Sequence, residues 1–340
     1  MSKRHVALLG VAAAALLTWN IQPATAQIKL RVADSYPITH LGVEFAKIWN
    51  KRVEELTGGK VKIDYFPAEQ LAKSADLLDA AINRVADITY VGPLYISDRV
   101  PLSTVAAIPL VGNVSDPEAL SMAYWKLANN ELNEFEFKPQ GVRVVRASVT
   151  FPYQMMTTKK QVLKMEDLKG LKIRSSGGIQ EKSIEALGAV AVSIPAPDLY
   201  PAVQRGTVDG LVFNLPTLPG YKLQELIKYT TTNVNLGLFP TTYVINEKSW
   251  AALPKDVQDA MLKAGEESVA VEVKSYLARE VKLMEEFKQR KVEAYTLPDA
   301  EIARWSKTLD PVKKAWVADL EKGGKPAAKV LAAWEKLLTK

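Results

Sequence analysis

The sequence predicts an α/β protein of two lobes, joined by returning strands and braced by one long helix. Three observations lead there. Period-two strand patterns alternate with helical patterns over residues 28–91 and again over 151–213. The apolar, extended stretch Leu236–Asn246 is long enough to carry the chain back to the first of these units. A helical pattern then runs from Pro254 to about Arg290. At roughly 1.5 Å per residue it exceeds about 50 Å and can lie against both units.

The first element is not part of the fold. Lys3, Arg4 and His5 precede the apolar run Val6–Leu17, and Ala24-Thr25-Ala26 is a small-x-small site. This predicts a signal peptide over residues 1–26, cleaved after Ala26, and a protein exported to the periplasm. The apolar run is too short for a bilayer, which needs about 20 residues. No cysteine follows the cleavage site, so no lipid anchor is expected there.

Ile28–Ala33 reads as a strand, and Gly42–Leu56 as a helix that stops at Thr57-Gly58-Gly59. Lys60–Phe66 is a second strand, with Val61, Ile63 and Tyr65 on one face. Pro67-Ala68-Glu69-Gln70 makes a loop, Leu71–Arg84 an amphipathic helix, and Ala86–Val91 a third strand. Such a βαβαβ run implies a parallel sheet with helices on both faces and right-handed crossovers. Ligands of such sheets sit beyond the carboxyl ends of the strands. That edge gathers Asp34, Tyr36, Gln70, Gly92 and Tyr95 as candidates, with Tyr90 close by.

A second unit begins near Phe151. It comprises strands Gln154–Thr158, Leu171–Arg174, Val190–Ser193 and Thr207–Phe213, with helices Ile179–Leu187 and Pro197–Arg205 between them. Its ligand edge carries Arg174, Phe213 and Asn214, and Tyr153 adjoins it. The long helix places Val257, Met261, Val269, Val273, Leu277, Met284 and Phe287 on one stripe, read as core. The tail from Pro298 adds amphipathic helices with Trp305, Trp316 and Trp334. Residues 27–150 plus 239–279 are thus expected to form lobe I, and 151–238 plus 280–340 lobe II.

Composition removes much chemistry. The 340 residues contain no cysteine and two histidines, of which only His40 lies beyond the signal peptide. Cys–His nucleophiles and the usual zinc sites are therefore excluded, and disulfides are not needed at this length. His40 reads as a polar cap of the first helix rather than a catalytic base. No P-loop, G-x-G-x-x-G or EF-hand pattern occurs. The formal charge of +6 falls to +4 without Lys3 and Arg4, and no basic block stands out. No catalytic site, dedicated cluster of metal ligands, cofactor or nucleic-acid partner is expected.

The chemistry that remains lies in Glu166–Gly178. A strand ends on Arg174, and Ser175-Ser176-Gly177-Gly178 opens the following helix. Free N–H groups at such a helix start carry roughly half a positive charge. An arginine beside them offers a fork of donors matched to a carboxylate. The pattern suits a small organic acid.

The whole chain resembles the substrate-binding proteins of tripartite ATP-independent periplasmic (TRAP) transporters. The marks are Thr57-Gly58-Gly59-Lys60-Val61, Phe66-Pro67-Ala68-Glu69-Gln70-Leu71, Asp167-Leu168-Lys169-Gly170-Leu171-Lys172-Ile173-Arg174 and Gly206-Thr207-Val208-Asp209-Gly210. The resemblance implies a two-lobed periplasmic-binding-protein fold with hinge strands and a long spine helix. It implies a monomer that hands an organic acid to an ion-driven permease. In that family the arginine ending the third segment grips the ligand carboxylate by two hydrogen bonds, a role implied here for Arg174.

Three departures shape the expected ligand. Where members that bind sialic or dicarboxylic acids often carry a second arginine, this chain has Gln154. Phe213 stands where the family commonly has asparagine, with Asn214 next, which leaves open which of the two faces the cleft. Gly92 replaces a glutamate used by some sialic-acid binders. One carboxylate on an apolar or aromatic body fits this set better than a dicarboxylate. The alternatives are a binding protein of an ABC importer, a periplasmic hydrolase or lyase using carboxylates, and a ligand sensor.

Overall fold

The computed structural model describes residues 27–109 and 116–339, so the expected signal peptide lies outside the described residues. The first unit follows the expected order: β1 (Ile28–Ala33), α1 (Leu41–Leu56), β2 (Val61–Phe66), α2 (Leu77–Ile82) and β3 (Ile88–Val91). β1 pairs in parallel with β2 and β3. One expectation is corrected here, because the helix expected over Leu71–Arg84 is only the short α2. The Glu69 carboxylate accepts from both the backbone N–H and the hydroxyl of Ser74, at 2.9 and 2.8 Å. Ala68 and Glu69 themselves take left-handed φ of 55° and 58°. Side-chain bonding of this kind competes with helix and holds residues 67–76 as turns.

Next come α3 (Pro117–Leu127), capped by Asp116, a stretch of wider helical turns over Ala128–Phe137, and β4 (Val142–Val149). The second unit holds β5 (Gln154–Thr157), β6 (Lys172–Ser175), α4 (Ile179–Ala186), β7 (Val190–Ser193), α5 (Leu199–Gln204), β8 (Gly210–Phe213) and β9 (Tyr229–Thr231). β10 (Pro240–Asn246) returns to the first sheet, followed by α6 (Glu247–Ala251) and α7 (Lys255–Arg290). β11 (Glu293–Tyr295), α8 (Asp299–Lys322) and α9 (Ala327–Leu338) complete the described chain.

Two sheets result, ordered β2-β1-β3-β10-β4 and β11-β9-β5-β8-β6-β7. Neither is purely parallel, because β10 runs antiparallel to both β3 and β4, and β5 antiparallel to β8 and β9. The chain passes between the sheets three times. Two of these crossings, β4 to β5 and β9 to β10, run side by side, while α7 makes the third. Thr150 N–H donates to Phe239 O, Tyr153 N–H to Gly237 O and Leu236 N–H to Tyr153 O, at 2.9–3.0 Å. Gly237 makes the crossing possible: its φ is +92°, and a Cβ there would lie 2.3 Å from the Ala107 carbonyl oxygen.

Helix α7 packs on α1, α3 and β4 of the first unit and reaches β11 and the Leu215–Tyr221 turn of the second. Its stripe is buried at Val257, Met261, Val269, Val273 and Phe287, whereas Leu277 is 48% exposed and lies off it. Gly265 lets the helix approach closely, since a Cβ would stand 2.5 Å from Val145 O and 2.6 Å from the Trp125 ring. Gly265→Ala is expected to cost about 1–3 kcal/mol through overpacking. Chemical denaturation checks this, and an unchanged midpoint would contradict it.

Candidate functional site

The carboxyl edges of the two sheets face each other, and aromatic side chains from both meet between them. Tyr36 follows β1, Tyr90 lies in β3 and Tyr95 just beyond it. Phe213 ends β8, with Asn214, Thr217 and Tyr221 after it. Tyr153 and Phe239 come from the crossing segments, and Tyr276 from α7. With His40, these residues enclose about 20 Å³ of free space, on the order of one or two waters. The rings touch in a chain: Tyr36–Tyr90 at 4.6 Å, Tyr95–Phe239 at 5.0 Å, Tyr153–Phe213 at 5.6 Å and Phe213–Tyr221 at 5.9 Å.

Arg174 stands against this box without lining the free space itself. Its guanidinium carbon is 5.3 Å from the Phe213 ring centre. Nε donates to Ile194 O at 2.8 Å and Nη1 to Val212 O at 3.4 Å. Nη2 is buried without a partner, and among the described residues no carboxylate lies within 4.0 Å. The side chain is fully buried. A buried cation without a counter-charge is costly, by several kcal/mol in typical proteins. Burial pushes the Tyr95 and Tyr153 phenols up, and the Arg174 charge beside them partly counters this. The arrangement can hold an anion with a flat apolar body.

The structure divides the remaining sequence candidates. Phe213 and Asn214 both line the cavity, where Asn214 Oδ1 accepts from the Thr217 hydroxyl at 2.9 Å. Tyr36 and Tyr95 line it too, and Tyr95 reaches across to accept from Ala196 N–H at 3.3 Å. Gly92 makes room rather than contact, because a Cβ there would meet the Tyr95 ring at 2.7 Å.

Gln154 is not brought to the cavity. Its amide nitrogen donates to Val234 O at 2.6 Å, and its oxygen accepts from the Thr231 hydroxyl at 2.9 Å and Val234 N–H at 3.1 Å. It secures the chain beyond β9 instead. Gln70 is exposed on its loop. The helix-start N–H groups are also taken: Ser176 N–H donates to Gln180 Oε1 and Gly177 N–H to Ser175 Oγ. Anion affinity therefore rests on Arg174 rather than on that loop.

Asp34 sits behind the box. It accepts from Tyr36 N–H at 3.0 Å, from the Tyr243 hydroxyl at 3.1 Å and from the Tyr65 hydroxyl. Burial, the largest effect, raises its carboxyl to about 6, against the lowering effect of these donors and of Arg146. A carboxyl raised on folding binds its proton more tightly when folded. Its stabilising contribution is complete below the ordinary carboxylate range and is lost as pH rises through about 6. Glu136, buried and raised to about 7, adds a contribution of the same sign. Asp34→Asn should therefore flatten part of the decline in melting temperature between about pH 4 and 6. An unchanged slope would contradict this.

His40 caps α1 as its sequence suggests, with Nδ1 accepting from Gly42 N–H at 2.9 Å, and it also lines the cavity. Tyr221, Phe239 and Tyr276 escaped the sequence reading. An aromatic at a crossing strand or on a spine helix carries the same pattern as core.

A family model described as bacterial extracellular solute-binding protein, family 7, matches residues 32–319. A Comamonas testosteroni protein described as outer membrane transporter protein TsaT is 28% identical over 333 residues, covering 95% of this chain and 94% of that one. The C4-dicarboxylate-binding periplasmic protein DctP of Rhodobacter capsulatus is 28% identical over 294 residues, with 81% and 82% covered. A solved TRAP solute-binding protein from Rhodoferax ferrireducens, in complex with copurified benzoate, superposes with a TM-score of 0.82 at 25% identity, covering 92% of this chain and 98% of that one.

Proposed function

The chain belongs to family 7 of the bacterial extracellular solute-binding proteins and is a substrate-binding receptor of the TRAP type, not an enzyme; on that premise we propose that its ligand is a small aromatic monocarboxylate. The observation that carries this reading is Arg174, a fully buried guanidinium with Nη2 unpartnered, set against a box of aromatic rings. One cation answers one carboxylate, and Gln154, where a second arginine would stand, is engaged elsewhere. The benzoate-bearing relative supports the aromatic body, while the dicarboxylate-binding relative marks the alternative.

The geometry gives a capture mechanism. The free space, about 20 Å³, is too small for a benzoate-sized body. The lobes must therefore part along the segments near Thr150–Tyr153 and Leu236–Phe239 to admit it, and must close around it less tightly than in this structure. Opening would draw Tyr95 away from Ala196 and expose Arg174. The ligand's carboxylate pairs with the guanidinium, and closure shifts the population toward the shut form. Exclusion of water strengthens the pair and compensates the buried charge. A micromolar receptor would bind with about −8 kcal/mol. The closed form is then what a permease partner would meet in the periplasm.

A thermal-shift panel tests the reading. At a hundred times its dissociation constant a ligand adds about 2.7 kcal/mol of stability. Benzoates and phenylacetates should raise the melting temperature, and succinate and malate should not. A response to C4 dicarboxylates with silence from the aromatic acids would overturn it.

A further inference from the structure

Arg174 accounts for one end of the aromatic box, and its neighbours there are Tyr95, Tyr153 and Phe213. The other end is built around His40, and Phe213 and Tyr221 lie between the two. The imidazole of His40 is stacked on Tyr36, with ring centres 4.5 Å apart and planes within 7°. Tyr221 covers it from the second unit at 4.7 Å. A Cβ on Gly220 would lie 2.3 Å from His40 Cδ2, and the Thr39 hydroxyl donates to Gly220 O at 3.1 Å. Both units thus fix the orientation of this ring.

Its protonation state follows from its bonds. Nδ1 accepts a backbone N–H from Gly42, so its lone pair is in use and the ring proton sits on Nε2. Burial, and then the charge of Arg279, push the imidazole down to about 3, so it is neutral at physiological pH. Nε2 is therefore a neutral N–H donor, and it is buried with no partner in the protein. Capping α1 explains Nδ1 alone; an asparagine would cap as well. It does not explain an unpaired donor on a residue that lines the cavity.

We propose that His40 Nε2 forms a second ligand subsite, donating to a neutral acceptor on the ring of the bound acid, so that the receptor selects hydroxylated aromatic monocarboxylates. This rests on the reading of the ligand as an aromatic monocarboxylate. A neutral donor suits a hydroxyl or carbonyl oxygen. A second carboxylate at this end would be desolvated against tyrosines with Asp34 behind Tyr36, and Arg279, whose charge is felt at His40, does not line the cavity to pair with it. A site with a buried polar group committed to a ligand oxygen rejects the analogue that lacks it, because the group is then left unpaired.

The test is calorimetric titration of residues 27–340 with benzoate, 3- and 4-hydroxybenzoate, 3- and 4-methylbenzoate and isophthalate. Wild type should bind at least one hydroxybenzoate about tenfold more tightly than benzoate and than its methyl isostere, a difference of about 1.4 kcal/mol. Isophthalate should be the weakest. In His40→Asn, which keeps an acceptor for Gly42 N–H, the hydroxybenzoate-to-methylbenzoate ratio should fall toward one, whatever happens to absolute affinity. The ratio is the reading that a merely structural histidine would not move. Equal binding of hydroxyl and methyl analogues by wild type, or a ratio that survives in His40→Asn, overturns the subsite while leaving the aromatic-acid reading intact. Should the variant not fold, the wild-type comparison alone decides. No binding of any aromatic acid would overturn both.

Discussion

Arg174→Met is expected to lose most of the affinity for the aromatic acid, at least about thirtyfold, while the protein still folds. Truncating one member of a desolvated charge pair costs about 2–5 kcal/mol or more of binding, upwards of thirtyfold in affinity. The stability of the free protein should change far less, because the guanidinium that is removed has no carboxylate beside it. A buried charge replaced by an apolar side chain of similar size is often neutral or stabilising. Its backbone contacts to Ile194 O and Val212 O are the opposing loss. Arg174→Lys keeps the charge but not the planar fork and should recover only part of the affinity. Titration together with thermal melting reads both quantities. Binding within threefold of wild type in Arg174→Met would remove the anion anchor from the account.

The largest effect on stability is expected at a different buried ion pair. Arg146 on β4 and Glu272 on α7 lie 2.6 Å apart, only 5% and 3% exposed. Ser148 and Ser268 hydroxyls also donate to the Glu272 carboxylate, at 2.6 and 3.2 Å. The Arg146 guanidinium lies 4.8 Å from the Tyr243 ring centre, and Tyr243 donates to Asp34 behind the aromatic box. Glu272→Ala leaves that guanidinium buried and unpaired, which should cost about 3–5 kcal/mol. The double substitution Arg146→Met with Glu272→Met should recover much of the loss, because it removes both charges. Urea unfolding of the three proteins checks this. A loss below about 1 kcal/mol for Glu272→Ala would show that the pair is solvated or replaceable.

What the sequence made legible was the part governed by local rules. Alternation of apolar residues located β1, β2 and β3, and the return of β10 followed from an apolar extended stretch. The spacing from Val257 to Phe287 located α7 almost to the residue. Arg174 stood out because Ser175-Ser176-Gly177-Gly178 opens a helix after it and because the family resemblance gives that position a ligand role; a strand-end arginine by itself reads as solvated. Local rules failed where side chains compete with backbone. Glu69 bonding Ser74 held residues 67–76 out of a helix, and Ser175 and Gln180 took up the N–H groups expected to hold an anion. Gln154 misled for a related reason, since its amide finds its partners at Thr231 in β9 and at Val234 beyond it, both distant in sequence. The aromatic box was legible only in part. Tyr36 and Tyr95 follow strands and Phe213 ends one, but Phe239 and Tyr276 arrive through the crossing segment and the spine. Only the tertiary structure distinguishes a ring facing a cavity from a ring filling a core.

The most direct test of the account is a crystal structure of residues 27–340 grown with 3-hydroxybenzoate. The carboxylate is expected within about 3 Å of Arg174 Nη2, the ring between Tyr153, Phe213 and Tyr221, and the lobes closed over it. A ligand bound with its carboxylate on other groups, leaving Nη2 without a partner, would contradict it, as would no ligand at all in the box.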